Sequence, residues 1–303
     1  MTAGCRVLVI GREGQLAREL TGAKWPDEWS VEAAAPPEFD LTMPDRAAAI
    51  VTAAKPNLVI NAAAYTNVER AEKDYEQALL LNATGPAAVA AACEKIGAPF
   101  LTVSTDYVFD GRKSGPYLED DAVNPLGAYG RSKAEGEALV RRAQPNHIIL
   151  RTSWLFSSFG TNFVKTMMRL GAERPELRIV AHQRGRPTVA GDLARAIVAI
   201  SGALASGTAP HGTYHVANAG PVSWFEFASA IFEELAARGE RVPERVVPIA
   251  TADYPTKAAR PANSVLDCSL LERTFGIALR PWREALRECV DELMAQRRRG
   301  KDN

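Results

Sequence analysis

The stretch that decides the fold lies at residues 6–17 and reads RVLVIGREGQLA. Its first five residues are an apolar run that ends at Gly11, which is typical of a buried parallel strand. A helical pattern begins directly after Gly14, and Ala17 is small enough for that helix to pack closely on the strand. Glycines between a strand and a helix let backbone amides approach a phosphate, whose charge the positive helix end favours. The stretch therefore predicts a strand, a phosphate-binding loop and a helix, as in dinucleotide-binding domains.

Strand and helix patterns go on alternating through the first half of the chain. Helix-forming residues fill 75–96, where Gly85 and Pro86 are expected to kink or split the helix. The other predicted helices cover 14–20, 44–54 and 129–142, and the later predicted strands cover 29–33, 58–61, 99–104 and 147–151. Strands that alternate with helices over short connections predict an α/β fold, a Rossmann-type doubly wound parallel sheet.

The pattern changes after Trp154, where loops rich in proline, glycine and arginine separate the elements. The predicted elements are helices at 161–172, 191–205, 223–238 and 282–296 and short strands at 177–180, 213–216 and 246–250. We interpret residues 1–155 as a dinucleotide-binding Rossmann domain, to which 191–216 return. Residues 156–303 are expected to form mainly a smaller C-terminal lobe that binds substrate.

The composition is that of an ordinary globular protein and narrows the classes of function. Of 303 residues, 47% are hydrophobic, and 36 basic residues balance 36 acidic ones, so no net field recruits nucleic acid or an anionic membrane. No apolar stretch reaches the roughly 18 residues of a membrane span, and no signal-peptide pattern opens the chain. The four cysteines show no C-x-x-C spacing, which argues against zinc and redox sites. We expect a reduced, cytoplasmic protein with no nucleic acid or membrane partner.

Residues near the strand ends are candidates for binding the dinucleotide. The acid that usually closes the second strand of an NAD site is missing after Glu32, whereas Arg12 is placed to meet a 2′-phosphate. This pattern favours NADPH over NADH, which stays the alternative. The predicted cofactor-binding residues are Gly11, Arg12, Gly14, Gln15, Leu16, Asp40, Leu41, Ala62, Ala63, Ala64, Tyr65, Ser104, Tyr129 and Lys133. Alternatively, Arg12 is a solvent-exposed loop charge, Asp40 begins a turn, and the alanines serve only tight packing.

Tyr129 and Lys133 form the clearest catalytic pattern. Their i, i+4 spacing places the phenol and the ammonium on one face of a helix. A free phenol has a pKa near ~10, and we expect the nearby cation to lower the pKa of Tyr129. Reduction of a carbonyl needs hydride on carbon and a proton on oxygen, which a tuned tyrosine donates as general acid. Thr105, or Ser104, ends the preceding strand and is expected to hold the substrate carbonyl. The pattern predicts a nicotinamide-dependent carbonyl reductase.

These motifs resemble those of the extended short-chain dehydrogenase/reductase family over nearly the whole chain. Within that family, the chain is similar to reductases of nucleotide-linked 4-keto-6-deoxy sugars. The matching stretches are GREGQLARE from Gly11, NAAAYTNVERAE from Asn61, LLNATGPAAVA from Leu80, STDYVFDG from Ser104, YGRSKAEGE from Tyr129, RTSWLF from Arg151, NFVKTMMRL from Asn162, Q-x-G-x-PT from Gln183 and YPTKAARPANSVL from Tyr254. The last two lie outside the nucleotide-binding domain, which makes the resemblance specific to these reductases.

The resemblance implies that NADPH reduces the C4 keto group of a dTDP-linked 4-keto-6-deoxy sugar, dTDP-4-dehydro-L-rhamnose, to give dTDP-L-rhamnose. It also implies that Thr105, Tyr129 and Lys133 are the catalytic residues. The residues that it places at the sugar or on the same wall are Val68, Thr105, Asp106, Tyr107, Trp154, Asn162 and Gln183. Arg260 is the candidate for the nucleotide diphosphate, because a guanidinium fork suits phosphate oxygens. Alternatively, Arg260 is a structural ion-pair residue and Trp154 is a core residue.

One departure from the family pattern concerns metal binding. Some family members are metal-bridged dimers that use acidic residues, and Gln15 and Gly191 stand where such acids are expected. Asp192 lies one position away from that place. A bridging Mg²⁺ is therefore not predicted and no metal-binding residue is assigned, while a homodimer is the assembly that the resemblance suggests.

Two other functions stay open at the level of sequence. A reductase of another nucleotide-linked 4-keto-6-deoxy sugar needs the same catalytic residues, since specificity lies in the second lobe. A non-catalytic regulatory subunit is the other alternative, because the β subunit of methionine adenosyltransferase resembles this family and acts by binding a partner enzyme.

Overall fold

A computed structural model describes residues 4–299 of the chain. Its strands are β1 (Arg6–Ile10), β2 (Ser30–Ala34), β3 (Leu58–Asn61), β4 (Phe100–Thr105), β5 (His147–Thr152), β6 (Leu155–Phe156), β7 (Glu176–Val180), β8 (Arg184–Gly185), β9 (Thr188–Val189), β10 (Gly212–His215), β11 (Val222–Ser223) and β12 (Arg245–Ile249). Six of them form a parallel sheet in the order β2-β1-β3-β4-β5-β10.

The α-helices occur in both halves of the described chain. They are α1 (Gln15–Gly22), α2 (Pro44–Ala54), α3 (Val68–Ala71), α4 (Tyr75–Leu79), α5 (Gly85–Ile96), α6 (Ala128–Ala143), α7 (Phe163–Glu173), α8 (Ala190–Ala205), α9 (Trp224–Ala236), α10 (Ser269–Phe275) and α11 (Trp282–Arg299). Short 3₁₀ turns lie at Asp106–Val108 and Thr251–Asp253. Among residues 4–299, no helix is both long and apolar enough to cross a lipid bilayer.

Helices cover both faces of the sheet because its strands carry apolar side chains on both sides. On one face Val9 belongs to an apolar cluster with α1 and α8. On the other face Ile10 belongs to a cluster with α2 and α5. Strands buried on both faces are characteristic of parallel α/β sheets. The predicted Rossmann-type doubly wound sheet is confirmed.

The long helix predicted at 75–96 is split, although the break lies just before the predicted glycine–proline pair. One π-helical turn at Leu80–Thr84 separates α4 from α5. Gly85 follows this turn and packs against the backbone of Leu41, where a β-carbon would lie 2.3 Å from the carbonyl oxygen. The glycine therefore permits a close approach of two chain segments at the start of α5.

The C-terminal lobe has its own apolar core, which α7, α9 and α11 enclose around side chains such as Phe227. Its short strands pair as β6-β9, β7-β12 and β8-β11. The chain returns to the first domain where α8 packs on the sheet and β10 pairs with β5. Helix α10 packs on the same face through Leu271. The boundary at residue 155 stays a prediction.

The order of the strands reverses between β1 and β3, and such a reversal opens a ligand crevice at the carboxyl ends of the strands. Gly11 lies at this crevice with φ of +113°, a backbone conformation that favours glycine. A β-carbon at Gly11 would lie 3.4 Å from the amide nitrogen of Ala63, which follows β3. The predicted phosphate loop and the alanines after β3 therefore flank the crevice from two sides.

Replacing Gly136 with alanine is expected to destabilise the protein, because helix α6 lies against the π-helical turn at that point. A β-carbon on Gly136 would lie 2.0 Å from the carbonyl oxygen of Asn82. We expect the free energy of unfolding to fall by about 2 kcal/mol, as for other overpacked sites. Urea unfolding followed by circular dichroism measures this change. Gly202→Ala in α8 is the matched control, since no atom lies within 4 Å of the added β-carbon, and equal effects of the two variants would contradict the close-approach argument.

Candidate active site

A cleft of about 770 Å³ opens at this crevice, where the carboxyl ends of the strands meet the C-terminal lobe. The predicted site residues that line it are Gly11, Arg12, Gly14, Gln15, Leu16, Ala62, Ala63, Ala64, Val68, Ser104, Thr105, Asp106, Tyr107, Tyr129, Lys133 and Trp154. The fold therefore brings the phosphate loop, the catalytic candidates and the sugar-facing candidates into one cavity. The role of each residue in binding or catalysis stays a prediction.

The loop after β1 fits a dinucleotide. Gly14 is the N-cap of α1, no side chain caps this helix, and no acidic residue lies in its first turn. The first amides of α1 are thus left without a side-chain acceptor, which suits a pyrophosphate. The Arg12 guanidinium lies 3.4 Å from the carbonyl oxygen of Ala33 and 3.5 Å from the carboxylate of Glu38. This position at the end of β2 suits recognition of a 2′-phosphate.

Helix α6 carries Tyr129 and Lys133 in its first two turns. The carboxylate of Glu72 accepts a hydrogen bond at 2.7 Å from the first amide of the helix, and negative charge stabilises a helix N-terminus. Gly130 lets α6 lie directly on the 3₁₀ turn after β4, because a β-carbon there would lie 2.2 Å from a carbonyl oxygen of that turn. These contacts place the two catalytic candidates beside the end of β4.

Asn82 is a positioning residue that was not predicted from the sequence. Its side-chain amide donates to the carbonyl oxygen of Tyr65 at 3.1 Å and to the hydroxyl of Ser132 at 2.9 Å. Its side-chain oxygen accepts from the amide of Tyr65 at 2.8 Å. Asn82 therefore ties the loop after β3 to helix α6. The available signal was a polar residue inside an otherwise apolar helical run.

Tyr129 is half-buried, and a hydrogen bond joins its side chain to Thr105. Removal of its hydroxyl from solvent raises the pKa of Tyr129 to about 12, which the Asp106 carboxylate reinforces and the Thr105 hydrogen bond opposes. The expectation that Lys133 lowers this pKa is wrong, because the ammonium donates instead to the carbonyl oxygen of Val103 at 2.7 Å. The phenol stays protonated at neutral pH, which is the state that a general acid requires.

Lys133 is buried beside a second charged group on the same helix. Burial lowers the pKa of its ammonium to about 8, and the Glu137 carboxylate one turn along α6 opposes that shift. Glu137 accepts a hydrogen bond from Ser104 at 2.6 Å and two from Arg151, at 2.9 Å and 2.7 Å. Because Ser104 follows Val103 in β4, Lys133 and Glu137 anchor α6 to consecutive residues of the strand. Glu137 was not predicted from the sequence, although its i, i+4 spacing from Lys133 was an available signal.

Asp106 is a second buried acid in the cleft. Its Oδ1 accepts a hydrogen bond at 3.0 Å from the Thr105 hydroxyl, whereas its Oδ2 has no partner in the protein. Burial raises the pKa of Asp106 to about 7, and the neighbouring hydroxyls of Ser264 and Thr105 oppose that shift. A buried polar atom without a partner at the wall of a cleft is suited to bind a polar group of a ligand.

Six predicted site residues lie outside the lining of the cleft, and three of them were cofactor candidates. Asp40 uses its carboxylate to accept from the amide and the hydroxyl of Thr42, both at 2.8 Å, so it stabilises a turn. Leu41 is 2% exposed and belongs to the apolar core. Tyr65 directs its hydroxyl to Asp74 at 3.3 Å. The structure therefore does not support a direct side-chain contact of these residues with the cofactor.

The other three were substrate candidates, namely Asn162, Gln183 and Arg260. Asn162 is the N-cap of α7 and donates to the side-chain oxygen of Gln15 at 2.9 Å. Gln183 is buried, and its side-chain amide lies 3.5 Å from the hydroxyl of Thr251. Arg260 forms an ion pair with Glu69 at 2.7 Å, as in the alternative structural interpretation. The polar groups of Asn162 and Gln183 are thus held by the protein. The Nη1 atom of Arg260 is buried without a hydrogen-bond partner, and the role of this residue at the nucleotide diphosphate stays a prediction.

Further lining residues were not predicted from the sequence. They are Glu13, Ala35, Pro36, Thr66, Val103, Thr152, Ser153, Leu155, Gly160, Thr161 and Trp224. Many of them adjoin a strand end or a predicted residue, so their position along the chain was an available signal. Trp224 is different, because it reaches the cleft from α9 in the second lobe.

The residues considered for metal binding are engaged within the protein. The Gln15 side-chain oxygen accepts from Asn162 at 2.9 Å. Asp192 accepts from Asn218 at 2.6 Å and from Arg280 at 3.0 Å. Within the described range 4–299, no group of three or more histidine, cysteine, aspartate or glutamate side chains is arranged to hold a metal ion.

A doubly wound domain whose cleft joins a phosphate loop to threonine, tyrosine and lysine side chains defines an oxidoreductase of the short-chain dehydrogenase/reductase type. A family model described as the RmlD substrate binding domain matches residues 5–295. The chain belongs to this family, and the predicted membership is confirmed.

Relatives and solved structures match both lobes of the molecule. The dTDP-4-dehydrorhamnose reductase of Aggregatibacter actinomycetemcomitans is 46% identical over 286 residues, which cover 93% of this chain and 97% of the relative. The structure of a dTDP-4-dehydrorhamnose reductase from Clostridium acetobutylicum aligns with a TM-score of 0.89 at 39% identity, over 95% of this chain and 99% of that one. The Bacillus anthracis dTDP-4-dehydrorhamnose reductase in complex with NADP aligns with a TM-score of 0.87 at 37% identity, over 95% and 99%.

Proposed function

We propose that this protein reduces the C4 keto group of dTDP-4-dehydro-L-rhamnose with NADPH and releases dTDP-L-rhamnose. The observation that carries the proposal is that Thr105, Tyr129 and Lys133 line the same cleft as the phosphate loop. The substrate is supported by the names of relatives that match nearly the whole chain. The cofactor is supported by the NADP complex of the Bacillus anthracis relative.

The loop after β1 and the end of β2 would hold the cofactor. Gly11, Gly14 and the first amides of α1 suit the pyrophosphate, and Arg12 suits the 2′-phosphate. Lys133 has further donors on its ammonium besides the one used by Val103, and these suit the hydroxyls of the nicotinamide ribose. When bound, the dinucleotide supplies the hydride that reduces the carbonyl carbon.

Tyr129 donates the proton that the carbonyl oxygen requires. Its raised pKa keeps the phenol protonated until negative charge develops on the substrate oxygen, which then becomes the stronger base. Thr105 holds that oxygen close to the phenol, because its hydroxyl is hydrogen-bonded to Tyr129. Lys133 contributes through the ribose hydroxyls of the cofactor and not by lowering the pKa of the phenol. Asp106, Tyr107, Val68 and Trp154 form the wall against which the sugar packs.

We also propose that the protein is located in the cytoplasm and forms a homodimer. The free thiols of Cys93 and Cys289 are buried, and burial raises the pKa of the Cys93 thiol to about 12. Unpaired cysteines are usual in a reducing compartment.

The proposal is tested by mixing the purified protein with NADPH and enzymatically generated dTDP-4-dehydrorhamnose. We expect oxidation of NADPH with formation of an equal amount of dTDP-L-rhamnose, and slower oxidation of NADH. A panel of other nucleotide-linked 4-keto-6-deoxy sugars provides the specificity control, and faster turnover of another member would assign that sugar instead. No turnover of any member, together with a stable complex with methionine adenosyltransferase, would support the regulatory subunit.

A further inference from the structure

Two tryptophan side chains from different parts of the chain meet in the wall of the cleft. Trp154 lies between β5 and β6, Trp224 begins α9, and both line the cavity. Their ring centroids are 3.5 Å apart and their planes differ by 7°. Parallel rings at this separation leave no space for a base or a sugar between them. The two indoles therefore form a single stacked unit, and a ligand contacts it from outside.

Trp154 is held in a backbone conformation that a bulky residue rarely adopts. Its φ is +48°, in the left-handed region. Gly185 in β8 lies against the indole, since a β-carbon on Gly185 would be 2.5 Å from its Cε2 atom. Conformations of this kind persist only where surrounding contacts determine them. The position of the Trp154 ring therefore depends on the neighbours that pack against it.

Trp224 is the better anchored of the two rings. It follows the N-cap Ser223, which forms a reciprocal pair of hydrogen bonds with Glu226, at 2.7 Å and 3.1 Å. Such a capping box fixes the first turn of a helix. Phe163 of α7 packs on the Trp224 ring with a centroid distance of 4.6 Å. The second lobe thus presents Trp224 as a supported surface against which Trp154 stacks.

We propose that Trp224 is a positioning residue for substrate, which holds the Trp154 indole where the hexose ring packs on it. This inference rests on the proposed function, which brings a 6-deoxyhexose into the cleft. The C–H face and the methyl group of such a sugar are apolar, and an indole offers a large apolar surface for them. Because Trp224 acts through Trp154, it affects the binding of the sugar nucleotide and not the transfer of the proton.

The test compares Trp224→Leu, which keeps apolar bulk without the ring, with Trp224→Phe, which keeps a ring. For Trp224→Leu we expect KM for dTDP-4-dehydrorhamnose to rise about three- to tenfold, with kcat and the Kd of NADPH changed by less than about twofold. Trp224→Phe should recover most of the loss. Trp154→Ala combined with Trp224→Leu should raise KM no further than Trp154→Ala alone, because both residues act as one unit.

A second readout does not depend on catalysis. Calorimetric titration with dTDP-L-rhamnose reports the loss of affinity directly. Additive effects in the double variant, equal losses in kcat and NADPH binding, or unchanged affinity for dTDP-L-rhamnose in Trp224→Leu would each overturn the inference. If Trp224→Leu has the same KM and kcat as an active wild-type protein, this inference alone is overturned. If the wild-type protein neither reduces nor binds the sugar nucleotide, the proposed function is overturned as well.

Discussion

Replacing Tyr129 with phenylalanine is expected to lower kcat by about 10²- to 10⁴-fold, the usual contribution of a general acid. The variant keeps the aromatic ring and loses only the hydroxyl, which is hydrogen-bonded to Thr105. Binding of NADPH should be nearly unchanged, because the phosphate loop and Lys133 are untouched. Oxidation of NADPH in the presence of dTDP-4-dehydrorhamnose measures turnover, and fluorescence titration measures cofactor affinity.

Tyr117→Phe is the matched control for the loss of a tyrosine hydroxyl. Tyr117 is buried, and its hydroxyl donates to Asp110 at 3.0 Å and accepts from the amide of Lys113 at 3.2 Å, away from the cleft. We expect this variant to keep wild-type kcat. Near-full activity of the Tyr129 variant would contradict the mechanism, and Asp106, whose pKa burial raises to about 7, would then be the donor to examine.

The composition of the cleft could be predicted in large part because the chain obeys a topological rule. Gly11 and Ala62 follow strands of a parallel sheet and Thr105 ends one, and the carboxyl ends of such strands meet at one edge. The i, i+4 spacing of Tyr129 and Lys133 then placed both on one helical face. The sequence was therefore sufficient to predict a cleft residue wherever the position of that residue follows from the strand or helix that carries it.

The electrostatics of the site could not be predicted in the same way. A tyrosine four residues before a lysine suggested a lowered pKa, yet burial raises the pKa of Tyr129 to about 12. The Lys133 ammonium donates to Val103 in the neighbouring strand, and burial lowers its own pKa. Desolvation depends on everything packed around a group, so a motif of two residues does not determine its sign or its size.

The second lobe was the least predictable part of the site. Its loops and short strands carry no periodic pattern that relates them to the sheet, so nothing in the sequence connects Trp224 with Trp154. The same reason applies to the ion pair of Arg260 with Glu69, which joins distant parts of the chain. Non-local partners of this kind appear only when the chain is folded.

Replacing Glu137 with glutamine is expected to destabilise the protein and to shift the alkaline limb of its pH–rate profile to lower pH. The buried Arg151 guanidinium loses its counter-charge, and breaking a buried ion pair from one side costs about 3–5 kcal/mol. Burial lowers the pKa of Lys133 to about 8, and the Glu137 carboxylate opposes that shift. Without the carboxylate the pKa falls further, so the ammonium is lost, and kcat with it, about one pH unit earlier.

A double variant separates the charge effect of Glu137 from its structural effect. Glu137→Met with Arg151→Leu removes both charges, and apolar replacement of a whole buried pair is often neutral for stability. We expect this variant to regain stability but to keep the shifted alkaline limb, because the charge that supports Lys133 is still missing. Glu173→Gln, which breaks an exposed pair with Arg169 at 3.0 Å, should change neither property. If the double variant restored the wild-type limb, Glu137 would act only by holding the helix on the strand. If the double variant is stable and its alkaline limb still lies at lower pH than that of the wild type, the Glu137 carboxylate keeps Lys133 charged.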